Sequence, residues 1–169
     1  LGDDIMVGSL GDDTYIVNSG ADVVTESDAN TITGGVDWVR ASVDGYLLTA
    51  NVEHLTLLST TTSGSGNALG NRLTGNALNN ILTGLDGNDT LIGEGGVDVL
   101  DGGANDDYYI VDTNTDTIAD SGGTADMVQS SVAFDLSNAL AAGGTEIEHL
   151  IYPGSGGASL TGNALPNST

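Results

Sequence analysis

Large apolar residues return along this chain at intervals of nine. Leu73, Leu82, Leu91, Leu100, Tyr109 and Ile118 keep the spacing, and two positions before them stand Asn71, Asn80, Asp89, Asp98, Asp107 and Asp116. Glycine opens the units at Gly66, Gly75, Gly84, Gly93 and Gly102. The same frame runs near the N-terminus, where Asp4, Asp13 and Asp22 precede Met6, Tyr15 and Val24. Each unit offers one short extended segment with an inward apolar side chain, then a turn rich in Gly, Asn and Asp. The pattern predicts an all-β chain, a right-handed parallel β-roll or β-helix solenoid of stacked nine-residue units. Two units make one circuit, so turns eighteen residues apart stack at about 4.8 Å and the eighth-position side chains fill the interior.

A longer duplication overlies the short one. Tyr15-Ile16-Val17 matches Tyr109-Ile110-Val111, and Asp22 matches Asp116. Gly35-Val36-Asp37-Trp38-Val39 is similar to Thr124-Ala125-Asp126-Met127-Val128, and Glu53-His54-Leu55 to Glu148-His149-Leu150. Both copies end on one phrase, Gly66-Asn67-Ala68-Leu69-Gly70-Asn71 and Gly162-Asn163-Ala164-Leu165-Pro166-Asn167. The expected organisation is one continuous solenoid: calcium-type turns over 1–27, looser strands over 28–65, Gly-Asn turns over 66–83, calcium-type turns over 84–120, and looser strands over 121–169 ending in a Gly-Asn turn. The opening Leu1-Gly2-Asp3-Asp4 reads as the second half of a turn, which predicts a fragment of a longer chain.

Composition sharpens the picture through charge. The 169 residues hold 24 carboxylates against two cationic side chains, Arg40 and Arg72, for a net charge of −22. That charge argues against nucleic acid or an anionic membrane as partner and makes cations the natural counterparts. Acidic chains with few aromatics are often disordered. Here 38% apolar content falls at regular intervals, which predicts a fold that depends on its counter-ion. Cysteine is absent, which removes disulfides and thiolate metal sites.

Stacked turns bring sixth-position carboxylates together along one edge. At strand spacing two of them repel by about 1 kcal/mol in water and about 3–4 kcal/mol at an effective dielectric of 20. A divalent cation between them reverses the sign, and calcium suits an all-oxygen donor set with loose geometry. The Gly-Asn turns place a neutral amide there and are expected to be metal-free circuits held by hydrogen bonds, with weak calcium at most across Asn71/Asp89 or Asn80/Asp98.

These residues resemble the RTX, or haemolysin-type calcium-binding, repeat proteins. Gly84-Leu85-Asp86-Gly87-Asn88-Asp89-Thr90-Leu91-Ile92 fits their glycine-rich nonapeptide, as do the units from Gly93 and Gly102, with Glu94 and Asn105 standing where glycine is usual. The resemblance implies a calcium-bound roll on a secreted or cell-surface bacterial protein, commonly exported by a type I system. It also implies the ligands. Leu85, Gly87 and Asp89 would face Gly102, Ala104 and Asp107; Glu94, Gly96 and Asp98 would face Val111, Thr113 and Asp116; Gly2 and Asp4 would face Val17, Ser19 and Asp22. Asp13 is left without a visible partner, and Asp37 and Asp126 are expected as surface turn residues.

No catalytic constellation emerges. His54 and His149 recur with their duplicated strands, beside Glu53 and Glu148, and are expected to alternate outward with inward Leu55 and Leu150. Trp38, with Tyr46 nearby in sequence, is expected to pack rather than to bind sugar. The function expected is therefore calcium binding that drives folding of a structural or spacer region, with no enzymatic activity. The alternatives are a surface-layer, adhesin or polysaccharide-binding module, with surface polysaccharide or self-association as the contact, and a non-catalytic part of a secreted hydrolase or epimerase.

Overall fold

The computed structural model describes residues 2–28, 34–139, 147–153 and 159–162. The expected C-terminal Gly-Asn turn falls mainly on residues 163–167, outside the described residues. Strands of two to six residues follow one another, and every pairing among them is parallel. With glycine and turn residues every few positions, no extended run grows long among the described residues, and the single helical turn among them spans Leu136–Ala139.

One side of the solenoid is an eight-stranded sheet. It stacks Thr14–Val17, Trp38–Ala41, His54–Leu57, Arg72–Thr74, Thr90–Ile92, Tyr108–Val111, Asp126–Ser130 and Ile147–Ile151 in chain order. The opposite side is interrupted. Ile5–Val7 pairs with Val23–Thr25, then five strands from Tyr46–Leu47 to Thr117–Ala119 form a sheet, and Phe134–Asp135 pairs with Leu160–Thr161. The fold is thus an all-β parallel solenoid, as the nine-residue period predicts.

Register follows the apolar column. Leu55, Leu73, Leu91, Tyr109, Val128 and Leu150 are consecutive partners across the long sheet, and Leu82, Leu100 and Ile118 across the short one. Leu55, Leu73, Leu82, Leu91, Leu100, Tyr109 and Ile118 are fully buried and join one continuous core. A one-residue slip would turn each of these side chains to solvent, so the alternation fixes the stacking.

Candidate calcium-binding edges

The sixth-position residues form two columns, one along each edge of the solenoid, and the columns are tied by a repeated hydrogen bond. The backbone N–H of one sixth-position residue donates to the side-chain oxygen of the next circuit's equivalent. Asn71 N–H donates to Asp89 Oδ1 at 2.7 Å, Asp89 to Asp107 Oδ1 at 2.7 Å, Asp107 to Asp126 Oδ1 at 2.7 Å, and Asp126 to Glu148 Oε2 at 2.8 Å. On the other edge Asn80 donates to Asp98 Oδ1 at 2.7 Å and Asp98 to Asp116 Oδ1 at 3.0 Å. One carboxylate oxygen is pinned by this ladder.

The second oxygen has no such partner. Oδ2 of Asp89, Asp98, Asp107 and Asp126 is buried without a hydrogen bond, in residues at most 2% exposed. A buried carboxylate oxygen left unpaired costs several kcal/mol unless something neutralises it. Burial is the main cause that pushes the Asp89, Asp98 and Asp126 carboxyls up to about 7 and Asp107 up to about 8. The two arginines, Arg40 and Arg72, are exposed on the long sheet.

The asparagine turns fill the same place differently. Asn71 Oδ1 accepts the Asn67 N–H at 2.6 Å, and its Nδ2 donates to the carbonyls of Val52 and Glu53. Asn80 repeats this with Asn76 and Thr61. Asn67 and Asn76 each donate to two carbonyls of the preceding circuit. An amide therefore closes these turns with its own donors, as the sequence led one to expect.

Backbone shape differs in parallel. The turns of Asp89, Asp98 and Asp107 carry left-handed residues at the second and fourth positions: Leu85 and Gly87, Glu94 and Gly96, Gly103 and Asn105. Neither asparagine turn has one. Glu94 and Asn105 thus keep the glycine conformation, with φ of 60° and 77°, at a cost of about 1–2 kcal/mol each. The first-position glycine is demanded by space: a Cβ at Gly84 would fall on the Asp89 carboxylate and the Gly102 carbonyl. The carbonyl of Gly102, one of the expected ligands, therefore converges with Asp89 on the same spot.

The remaining expected ligands divide. Asp116 is capped from its own turn, its oxygens accepting the Thr113 hydroxyl at 2.8 Å and, more weakly, the Thr113 N–H. Asp22 accepts backbone N–H groups from Asn18, Ser19 and Asp4, which hold its carboxyl below the usual range. Asp4 is exposed, and Ser19 Oγ donates to Asp3. The geometry leaves Asp89 and Asp107 as open acceptors on one edge and Asp98 as one on the other, with Asp22 and Asp116 partly satisfied.

Two expectations are corrected, the one for Asp37 and Asp126 and the one for Asp13. Asp37 and Asp126 are not surface turn residues: they are 1% and 0% exposed and occupy the sixth-position column, because the flanking circuits lengthen and carry them inward. Asp13 has a partner, its N–H donating to Asp37 Oδ1 at 2.8 Å across 24 residues. Trp38 lies outside the core at 39% exposure, packed over His54 with ring centroids 4.5 Å apart and its Nε1–H on Thr56. Burial and nearby Arg72 hold His54 below its ordinary pKa.

A parallel solenoid whose edges stack buried, half-satisfied aspartates belongs to the calcium-type class. The family model of the RTX calcium-binding nonapeptide repeat matches residues 1–24 and 64–109, in four copies. Over these segments the chain is similar to RTX calcium-binding repeats, and calcium is the ion such repeats bind. No curated protein matches the chain significantly.

Proposed function

We propose that this chain is a calcium-folded structural segment of a secreted protein, with its ions at the aspartate edges. The carrying observation is the unpartnered, buried oxygens in both columns, on Asp89 and Asp107 along one edge and on Asp98 along the other. The strongest ion positions are the Asp89/Asp107 and Asp98/Asp116 pairs, with the carbonyls of Leu85, Gly87, Gly102, Ala104, Glu94, Gly96, Val111 and Thr113 completing the shells. Asp4/Asp22, with the carbonyls of Gly2, Val17 and Ser19, forms a weaker one. We read the role as non-catalytic: His54 lies on the outer sheet face with Trp38 and Arg72 as its strand partners, in a strand that recurs as a structural duplicate.

Ions that bind only the folded chain stabilise it by mass action. Extracellular calcium modules work at about 10⁻⁴–10⁻³ M. The chain is therefore extended where calcium is scarce and folds where it is plentiful. Far-UV circular dichroism during a calcium titration, with a chelator control, tests this. A cooperative gain of β signal is expected, and a β spectrum unchanged in excess chelator overturns it.

One observation favours a second reading. The outer face of the long sheet lines up Trp38, His54, Arg72, Thr90, Tyr108 and Met127 in one row, with Arg40 in the next. Both arginines of a chain at −22 sit on this one face, beside aromatics. That suits an acidic polysaccharide. Quenching of Trp38 fluorescence by such a polymer, abolished in Arg72→Ala, supports it; fluorescence that does not respond sinks it.

A further inference from the structure

Unit position one is glycine in the central stack, at Gly66, Gly84 and Gly102, because the space beside it belongs to the sixth-position side chain, the amide of Asn71 or the carboxylate of Asp89 or Asp107. Eighteen residues after Gly102 the same position holds Asp120, and eighteen after Gly8 it holds Glu26. Both acids are buried, at 3% and 6% exposure. A carboxylate thus enters the space the column otherwise keeps open for another carboxylate, and it does so in both halves of the chain.

Each acid is held the same way. Tyr109 donates its hydroxyl to Asp120 Oδ2 at 2.6 Å, and Tyr15 donates to Glu26 Oε2 at 2.7 Å, eleven residues apart in each case. The second oxygen accepts following backbone N–H groups: Gly122 for Asp120, Ser27 and Asp28 for Glu26. Both tyrosines stand at the eighth position, where the central units have leucine. Both clusters also include the residue pair that continues the ladder, Asp107 to Asp126 and Asp13 to Asp37. Ligand oxygens of Asp107, Asp120 and Asp126 lie within 4.8 Å of one another, and so do those of Asp13, Glu26 and Asp37.

We propose that the chain holds a second class of calcium site, two matching cages in which three carboxylates converge on one ion under a tyrosine: Asp13, Glu26 and Asp37 with Tyr15, and Asp107, Asp120 and Asp126 with Tyr109. The proposal rests on the reading that the chain binds calcium, and adds ions outside the nonapeptide consensus. In the second cage, Asp107 Oδ2 and Asp126 Oδ2 are buried with no hydrogen-bond partner, and Asp120 is buried beside them. Three carboxylates confined this way need positive charge. Oxygen ligands at 2.3–2.6 Å from one calcium lie at most about 5 Å apart, which matches the spacing of both clusters. The cages sit where nonapeptide circuits give way to longer ones, the ladder step changing from 18 residues to 19 at Asp126 and to 24 at Asp37. An ion there fastens the irregular circuit to the regular stack.

Calcium bound per folded chain, counted by native mass spectrometry on the full chain, tests the cages. Asp120→Asn and Glu26→Gln keep size and the tyrosine contact but remove charge, and each is expected to lose one ion; the double variant loses two. Asp120→Glu is expected to keep its ion, because Glu26 already serves in the other copy. Asp98→Asn reports on the nonapeptide edge alone. Unchanged counts in both cage variants, with a loss in Asp98→Asn, overturn the cages and leave the edge reading standing. A wild-type chain that binds no calcium overturns both. Circular dichroism in calcium establishes that each variant is folded, and Glu26→Gln decides the matter where Asp120→Asn is not.

Discussion

Asn80 and Asp98 stand in one column, eighteen residues apart, with the N–H of the first bonded to the carboxylate of the second. The amide meets its surroundings with both a donor and an acceptor: Nδ2 faces the Thr61 carbonyl and Oδ1 faces the Asn76 N–H. Asp98 has only acceptors, and its Oδ2 finds no protein donor. A single nitrogen thus separates a turn that closes itself from one that needs a cation. Asn80→Asp sets a carboxylate oxygen against the Thr61 carbonyl, and is expected to cost about 1–3 kcal/mol in saturating calcium. Denaturant unfolding with calcium present measures it. A variant as stable as the parent would mean that the asparagine turns accept an ion as readily as the aspartate turns.

At the scale of strands and turns, stability comes from the interior column. Leu91 lies fully buried in the middle of the eight-stranded sheet, between Leu73 and Tyr109. Leu91→Ala is expected to cost about 2–5 kcal/mol by transfer and cavity terms. Its strand neighbour Thr90 faces out, so Thr90→Ala should stay within about 0.5 kcal/mol. Comparable losses in the two would deny the inward-outward alternation. Where this alternation keeps a strict period, the sequence reveals it: the strands from Arg72 to Ala119 and the aspartates from Asp89 to Asp116 stand where nine-residue counting puts them. Counting fails where circuits stretch or shrink. Ladder steps of 24, 16, 19 and 22 residues carry Asp37, Glu53, Asp126 and Glu148 into the carboxylate columns, and no fixed interval marks them. Glu26 and Asp120 are hidden for another reason: they look like lost glycines. The signal that could have found them is the long duplication, since extending the Tyr15/Tyr109 match by eleven residues pairs the two acids.

For the whole molecule, the buried carboxylates set how proton and calcium compete. In the calcium-free fold Asp89, Asp98, Asp107 and Asp126 titrate at about 7 to 8, against about 3.9 for an unfolded aspartate. A folded value above the unfolded one means that the folded chain binds more protons between the two. These groups therefore oppose calcium-free folding fully above about pH 8, and the opposition lifts as pH falls from 8 toward 4. Asp22 and Asp44 shift the other way, lowered by backbone hydrogen bonds, and the stability they contribute is lost once pH drops below about 4. Protonation also relieves the self-repulsion of a chain at −22. Calcium-stripped chain is thus expected to gain β structure between pH 8 and pH 5 and to lose it again in stronger acid. Over the same range the calcium concentration at half-folding should change in the sense of weaker binding, because each ion must displace protons. Circular dichroism of stripped chain against pH, paired with calcium titrations at pH 8 and pH 6, measures both arms. Calcium affinity that is no weaker at pH 6 would show that the ions avoid the buried aspartates, and would move the binding site to the exposed carboxylates of the turns.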